Sequence, residues 1–540
     1  MVSSVAVLLL LVAGCGSPSS APNIVYMMAD DLGIGDVKCY GRDRCQTETP
    51  AFDSLAEDGM LFTDAHAVAS VCVPSRIAIM TGRYAWRFAG PSENGPWGFL
   101  NPRLPSGAFT IGTMLQSVGY RTGYVGKWHL GTLMQTVDGR NQGLDNVNYG
   151  RPLRVGPNDY GFDFSFILPG SLDMYPYVFV RDGEFQGQVT ARKGWSAFNR
   201  VGPAAEDFED YKVLDTFATE AETFIARNAE DAREGSPFFL YVALTSPHTP
   251  TSPSPEFEGT SSLGLYGDFV EETDATMGRV LRALEEHGLT GTTLVIATSD
   301  HGAAPYAGNV RKAIPNQIRE LEKLGHHSSG IYRGYKFTLY EGGLRVPFVV
   351  RWPGTVEPGS RCDRLVGLND MAATFAEVAG VETLERDAPD SFSIVPLLTD
   401  PAGPAPDRAL VMQSPLAFAV RHGKWKLALS PGSGSRGVWG TLPVPEEAWG
   451  QALASFGSAP LESDLRKAPF IQVFDLEGDV RETKNLAAER PEIARLLNSR
   501  LDEVIQSGRS TPGPALRNDM PSVDLHSNAR HWIRQQAASN

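Results

Sequence analysis

Asn23-Ile24-Val25-Tyr26-Met27-Met28-Ala29-Asp30-Asp31 is the stretch on which the fold turns. An apolar run this short, bounded by polar residues, has the pattern of a strand buried on both faces. Here it ends in two adjacent carboxylates. The pattern recurs downstream: residues 238–244 run into Ser246-Pro247-His248, and residues 293–298 run into Ser299-Asp300-His301-Gly302. Residues 120–125 read as a further strand, leading into Lys127-Trp128-His129. Between these runs, residues 110–118, 216–227 and 268–288 carry helical periodicity. Strands alternating with helices predict an α/β fold, a mainly parallel sheet flanked by helices. In such sheets functional groups collect beyond the carboxyl ends of the strands, which is where these carboxylates, histidines and the lysine fall.

The 540 residues suffice for one large α/β domain and a smaller one. At 42% hydrophobic and 21% charged, the chain is neither disordered nor a coiled coil. Forty-eight Lys and Arg against 63 Asp and Glu leave a net charge of −15, which argues against a nucleic-acid partner. Gly 55 and Pro 38 point to many turns without any repeat. The proline-rich stretch 399–407 (TDPAGPAPD) marks a linker. Strand-like pieces at 409–412, 417–421, 425–429 and 471–476, then a helix over 490–506, predict a small α+β domain after it. The expected division is therefore 1–21 leader and linker, 22–404 catalytic domain, 405–508 small α+β domain and 509–540 tail.

Residues 5–13 are apolar, too short to span a bilayer but of the length of a signal-peptide core. Val12-Ala13-Gly14-Cys15 resembles the bacterial lipobox, although the usual basic residues before the apolar run are missing. Export to the periplasm or cell surface is expected, with membrane attachment through a lipidated Cys15; an ordinary signal peptide is the alternative. Cys39 and Cys45, six residues apart in a polar loop, permit a local disulfide or two free thiols.

Two adjacent carboxylates at a strand end repel, and a cation offsets that cost. With Asp300 as a third, they suit a hard divalent ion with oxygen ligands. Taken alone, Asp30-Asp31 is equally a helix cap or a turn. Arg76, Lys127, His129, His248 and Lys336 form a cationic set suited to an anionic substrate. His248 lies between Pro247 and Pro250, which stiffen the loop presenting it.

The sharpest signal is Cys72-Val73-Pro74-Ser75-Arg76, continuing to Thr81-Gly82-Arg83. It resembles the C-x-P-S-R signature of the type I, formylglycine-dependent sulfatases of the alkaline phosphatase superfamily. Gly119-Tyr120-Arg121-Thr122 through Gly126-Lys127-Trp128-His129-Leu130-Gly131 is similar to that family's second signature. Asp30-Asp31-Leu32-Gly33, Ser246-Pro247-His248, Ser299-Asp300-His301-Gly302, Arg333-Gly334-Tyr335-Lys336 and Glu341-Gly342-Gly343-Leu344-Arg345 follow in family order. Phe474-Asp475-Leu476 and Asn485-Leu486 resemble its closing motif, so the likeness covers residues 22–506.

The resemblance implies an alkaline-phosphatase-like sheet and a sulfuric ester hydrolase. It implies a Cys72 oxidised to Cα-formylglycine by a formylglycine-generating enzyme, and one Ca²⁺ held by Asp30, Asp31, residue 72, Asp300 and His301. His301 stands where many relatives have Asn, and imidazole is a softer ligand than an amide oxygen. The implied mechanism is covalent. Hydrated formylglycine attacks sulfur while Asp300 accepts its proton, and Arg76 and Lys127 stabilise the developing charge. His248 or Lys336 protonates the leaving alcohol, and His129 then deprotonates the second hydroxyl to expel sulfate. Ser171 and Asp173 lie where relatives place a substrate contact. The expected substrate is a sulfated carbohydrate or an aryl sulfate.

Three further features are open on sequence alone. Met174-Tyr175-Pro176-Tyr177 is a surface for a sugar ring or a packed loop; His326-His327 lines the entrance or sits in a solvated loop; residues 90–105, with Trp97 and Phe99, are a candidate rim. Two other functions compete with sulfate hydrolysis. A phosphatase or phosphodiesterase of the same superfamily needs more His and Asp ligands than the matched motifs supply. An unmatured binder of sulfated glycans is the non-catalytic alternative.

Overall fold

The computed structural model describes residues 21–88, 101–195, 199–308, 310–311, 317–381, 384, 386–415, 417–430, 432–434, 471–520 and 523. The leader with Cys15, the rim residues Trp97 and Phe99, and the tail beyond 523 lie outside the described residues.

The main sheet has ten strands: β1 (Asn23–Asp30), β2 (Met60–Phe62), β3 (Arg121–Lys127), β4 (Phe164–Leu168), β5 (Val180–Arg181), β6 (Glu184–Phe185), β7 (Phe238–Pro247), β8 (Thr293–Ser299), β9 (Phe348–Arg351) and β10 (Ser360–Cys362). Their order is β10-β2-β9-β8-β1-β7-β3-β4-β5-β6. The central five, β8-β1-β7-β3-β4, run parallel, while β9 and β5 join them antiparallel. All eight residues of β1 are buried, as its unbroken apolar run requires. Its side chains alternate between two cores. Val25 and Met27 face α4 (Val213–Arg233) and α5 (Leu265–Glu286), whereas Ile24, Tyr26 and Met28 face α3 (Ile111–Ser117) and α6 (Met371–Val378).

The register brings the functional ends together. Ala29 pairs with Ser299, Asp30 with Pro247, and Gly126 with Ala243. Asp30, Lys127, His248 and Asp300 thus emerge at one edge of the sheet. The helix expected over 216–227 is longer at both ends in α4: Val213 and Leu214 continue its buried face at the start, and the last turn is mostly polar and adds little apolar period. Arg279 of α5 pairs there with Asp215 (2.6 Å) and Glu222 (2.6 Å).

Beyond the proline-rich stretch, β11 (Leu410–Gln413), β12 (Phe418–His422), β13 (Trp425–Ala428) and β14 (Gln472–Asp475) form a four-stranded antiparallel sheet. α7 (Pro491–Gln506) covers it with Leu497, Leu501 and Val504. The same cluster contains Val68, Ala78, Tyr84, Leu339 and Leu344 of the larger unit. A buried charge network crosses the junction: Lys426 Nζ reaches Glu341 (2.9 Å) and Glu482 (2.8 Å), and Arg421 reaches Asp64 (2.6 Å). The first part of the tail lies along the surface, where Asp519 pairs with Arg83 and Asn518 accepts from Arg87. Cys39 and Cys45 are free thiols, the latter within 3.1 Å of Thr47 Oγ1. Among the described residues no helix is long and apolar enough to cross a membrane.

Candidate active site

α2 (Cys72–Thr81) starts at Cys72, so the signature cysteine occupies the helix's first turn at the edge where the parallel strands end. Cys72 is 4% exposed. Its Sγ lies 3.2 Å from His301 Nε2 and 3.7 Å from Asp30 Oδ1. Burial pushes the thiol pKa up despite Lys127 and Lys336 nearby, so an unmodified Cys72 stays protonated and weakly nucleophilic at neutral pH.

One helical turn on, Arg76 points back under Cys72. Its guanidinium donates to Asp300 Oδ2 (Nε, 3.1 Å), Asp30 Oδ1 (Nη2, 3.3 Å) and the Lys127 carbonyl (Nη1, 3.3 Å). Lys127 Nζ donates to Asp30 Oδ2 at 2.5 Å, and Lys336 Nζ grips both oxygens of Asp31 at 2.7 and 2.8 Å. Against burial, Lys127 and Arg76 hold Asp30 well below the usual carboxylate range. Asp31 differs. Burial, only partly offset by Lys336 and reinforced by Asp30 and Asp300, pushes it up to about 8.

The histidines are neutral by environment. Burial lowers His301 to about 4, and it lowers His129 and His248 well below the ordinary imidazole value, with Lys127 and Lys336 respectively adding to the effect. His301 Nδ1 sits 3.0 Å from the Gly302 carbonyl and therefore carries the proton. Its Nε2 lone pair then faces Asp31 Oδ1 (3.3 Å) and Asp300 Oδ1 (3.7 Å). His248 Nδ1 is bound to the Thr249 carbonyl at 2.6 Å, with Nε2 3.7 Å from Asp31 Oδ2. His129 is buried, and among the described residues neither ring nitrogen has a hydrogen-bond partner. Asp31 (φ 65°) and His129 (φ 53°) both take left-handed backbone, which costs about 1–3 kcal/mol each and concentrates at functional sites.

This arrangement fits a divalent cation. Asp31, Cys72 and His301 place ligand atoms within 4.8 Å of one another, as do Asp30, Cys72 and Asp300. An imidazole lone pair aimed at carboxylate oxygens, and a carboxylate whose pKa has risen to about 8, are both relieved by a cation between them. Asp30, Asp31 and Asp300 are balanced in charge by Arg76, Lys127 and Lys336. A divalent ion therefore leaves the pocket with two positive charges in excess, which complements an anionic ester.

Every catalytic and metal position expected from sequence converges here, and Ser171 and Asp173 lie beside it. Ser171 is fully buried, and its Oγ has no hydrogen-bond partner among the described residues. Asp173 Oδ2 pairs with Arg200 Nη1 at 3.1 Å; Oδ1 is without a hydrogen bond and lies 4.0 Å from His248 Nδ1. Arg200 had no sequence signal, standing in a polar stretch 27 residues away. Ser75 and Ser299, present in the sequence motifs without a role of their own, have one here. They tie α2 and the Leu32 backbone to the end of β8 at 2.7 and 3.0 Å. Two readings are settled otherwise than at a surface. Tyr175 and Tyr177 are buried, Tyr177 donating to the Arg200 carbonyl, so that segment is a packed loop and not an aromatic platform. His326 is fully buried and bonded to Asp36, so it neither lines an entrance nor sits in a solvated loop.

Comparison with known proteins bears on the same residues. The family model described as Sulfatase matches residues 22–381, two thirds of the chain. The N-acetylgalactosamine-6-O-sulfatase of Bacteroides thetaiotaomicron is 31% identical over 91% of this chain and 94% of its own length. The steryl-sulfatase of Rattus norvegicus is 35% identical over 71% of each. A solved structure from work on metabolism of multiple glycosaminoglycans by Bacteroides thetaiotaomicron superposes with a TM-score of 0.74 at 29% identity, covering 90% of this chain and 99% of that one. With its cysteine signature at the edge where four parallel strands deliver carboxylates, a lysine and a histidine, the chain belongs to the sulfatase family and is a sulfuric ester hydrolase.

Proposed function

We propose that the protein removes sulfate from a carbohydrate sulfate ester, using a formylglycine formed from Cys72 and a Ca²⁺ ion. The observation that carries this is the seat of Cys72 Sγ, 3.2 Å from His301 and 3.7 Å from Asp30, among three carboxylates matched by three fixed cations. Asp30, Asp31, Asp300 and His301, with residue 72, are the ligands we assign to the ion. Oxygen-rich donors with one imidazole suit Ca²⁺. The ion supplies fixed positive charge for the sulfuryl oxygens, and the modified residue 72 supplies the nucleophile and the route by which sulfate departs.

The chain's own side chains have these roles in the proposal. Arg76 and Lys127 are held charged and rigid by Asp30 and Asp300, so they stabilise developing negative charge without reorganising. Asp300 takes the proton released at position 72. His129, neutral and without a hydrogen bond, is the base for the second proton. The arriving anion adds negative charge beside His248 and favours its protonated form, so His248 Nε2 is the donor assigned to the leaving oxygen, with Lys336 fixing Asp31 beneath it. Ser171 Oγ and Asp173 Oδ1, both without hydrogen bonds, are assigned to the alcohol part of the substrate.

Similarity to a named N-acetylgalactosamine-6-O-sulfatase over nearly the whole of both chains supports a sugar as that alcohol. The apolar run and lipobox-like Val12 to Cys15 support export with a lipid anchor, placing the enzyme where extracellular glycans are met. Loss of membrane fractionation in Cys15→Ala tests that part. The central test is peptide mass spectrometry of the Cys72 segment from protein made with a formylglycine-generating enzyme. A loss of about 18 Da is expected for thiol to aldehyde, followed by turnover of sulfated saccharides. Turnover of aryl sulfates alone overturns the carbohydrate assignment. Unmodified cysteine in protein from the native host overturns the covalent mechanism and leaves a binder.

A further inference from the structure

Behind the Asp30-Asp31 turn lies a second buried polar cluster that the proposed mechanism does not use. Asp36 is fully buried. Its Oδ1 accepts from His326 Nε2 at 2.7 Å, and its Oδ2 accepts from the Tyr266 hydroxyl and from the Gly33 N–H, both at 2.8 Å. The Gln46 N–H donates to His326 Nδ1 at 3.1 Å. That bond fixes the tautomer: Nδ1 accepts, and Nε2 carries the proton offered to Asp36.

The cluster stands between the two chain segments that meet at Asp31. Gly33 lies two residues after Asp31, so Asp36 Oδ2 holds the turn that aims the Asp31 carboxylate. On the other side His326 opens the segment that runs to Lys336, whose Nζ grips that same carboxylate. The backbones touch as well. Gly35 N–H donates to the Ser328 carbonyl at 2.8 Å, and a Cβ on Gly33 or Gly35 would lie 2.1 or 1.9 Å from the carbonyl oxygens of Ser328 and His327. A buried, hydrogen-bonded carboxylate is a poor way to fill a core, since well-packed apolar residues serve as well or better. Its partners here are the residues that set the relation of two functional segments.

We infer that Asp36, His326 and Tyr266 are positioning residues of the metal centre, locking the Asp31 turn to the Lys336 segment so that the Asp31 carboxylate meets a divalent ion already oriented. The inference rests on the Ca²⁺ reading above. Residues that orient metal ligands from behind change affinity by roughly 10- to 100-fold when removed. They do so without touching ion or substrate.

The test is the Ca²⁺ concentration that half-saturates the full-length protein, read by thermal shift and calorimetric titration, beside kcat/KM at limiting and saturating Ca²⁺. His326→Ala is expected to raise the half-saturating concentration by roughly 10- to 100-fold, with kcat/KM lost at limiting Ca²⁺ and regained at saturation. Tyr266→Phe is expected to shift it in the same direction by less, and His326→Gln, which keeps an N–H donor, to recover part of the loss. A lowered Tm with an unchanged Ca²⁺ midpoint in His326→Ala overturns the inference, since a merely structural role predicts that. Should His326→Ala fail to fold, an unchanged midpoint in Tyr266→Phe has the same force. Absence of any Ca²⁺ uptake by the unsubstituted protein overturns the metal reading itself, and is seen before a variant is made.

Discussion

On the Ca²⁺ reading, removing the metal should expose the cost of Asp31. In the cation-free pocket, burial and the neighbouring Asp30 and Asp300 raise its pKa to about 8 against Lys336's pull. The sign follows directly. A folded pKa above the unfolded one means that the native state binds the extra proton between about pH 4 and 8, so metal-free stability falls as pH rises through that window, by about 1.4 kcal/mol per unit. On the proposed reading, Ca²⁺ binds the ionised form and must displace that proton. Half of Asp31 is ionised at pH 8 and roughly one part in a hundred at pH 6, so apparent Ca²⁺ affinity should fall roughly 50-fold between them. Calorimetric titration at pH 6, 7 and 8 in buffers of different ionisation enthalpy reads both the affinity and the proton released. An affinity flat across that range, with no proton release, would refute the assignment of Asp31 as a raised, metal-facing carboxylate.

Other substitutions separate chemistry from architecture. His129→Asn should lower kcat by about 10²- to 10⁴-fold while leaving Tm near that of the parent, because His129 makes no side-chain hydrogen bond and Asn tolerates its left-handed φ of 53°; steady-state kinetics and thermal melts check the two halves. Arg76→Lys cannot span Asp30, Asp300 and the Lys127 carbonyl at once. It should lower kcat/KM by about 10²- to 10³-fold, and denaturant unfolding should show a loss of about 3–5 kcal/mol. Lys426→Met leaves Glu341 and Glu482 facing each other without their shared cation, and urea titration should show a loss of about 3–5 kcal/mol.

The strands that carry the site were legible because burial on both faces writes itself as an unbroken apolar run. Residues 23–29 and 293–298 come within a residue or two of β1 and β8. Asp30, Asp31, Lys127, His129, His248, Asp300 and His301 were legible for a related reason: each sits in a short motif at or just past the end of a strand, so one chain segment announces both strand and ligand, whereas Cys72, Arg76 and Lys336 stand out only through the motifs that contain them. Arg200 and Asp36 carry no such mark. Arg200 acts through a pairing with a residue 27 positions away, and the partners of Asp36, Tyr266 and His326, stand 230 and 290 residues on. The same distance hides the burial of His326. A Gly-His-His-Ser-Ser-Gly stretch is polar by composition, and only the opposing Gly33 and Gly35 backbone makes room for it inside.

The charge network under the small sheet bears on what counts as a module in this chain. The proline-rich stretch at 399–407 looks like a place to cut. Yet Glu341, a few residues past Lys336, and Asp64 share Arg345 within the larger unit, and their further counterions, Lys426 and Arg421, come from across that junction. A fragment ending at the linker would keep these acids, fully or largely buried, and lose two of their counterions. The segment holding Lys336 would then be anchored to two buried acids that share the single guanidinium of Arg345. The linker is a joint in the sequence but not in the energetics, so the two units should melt as one, and neither is transplantable without the other.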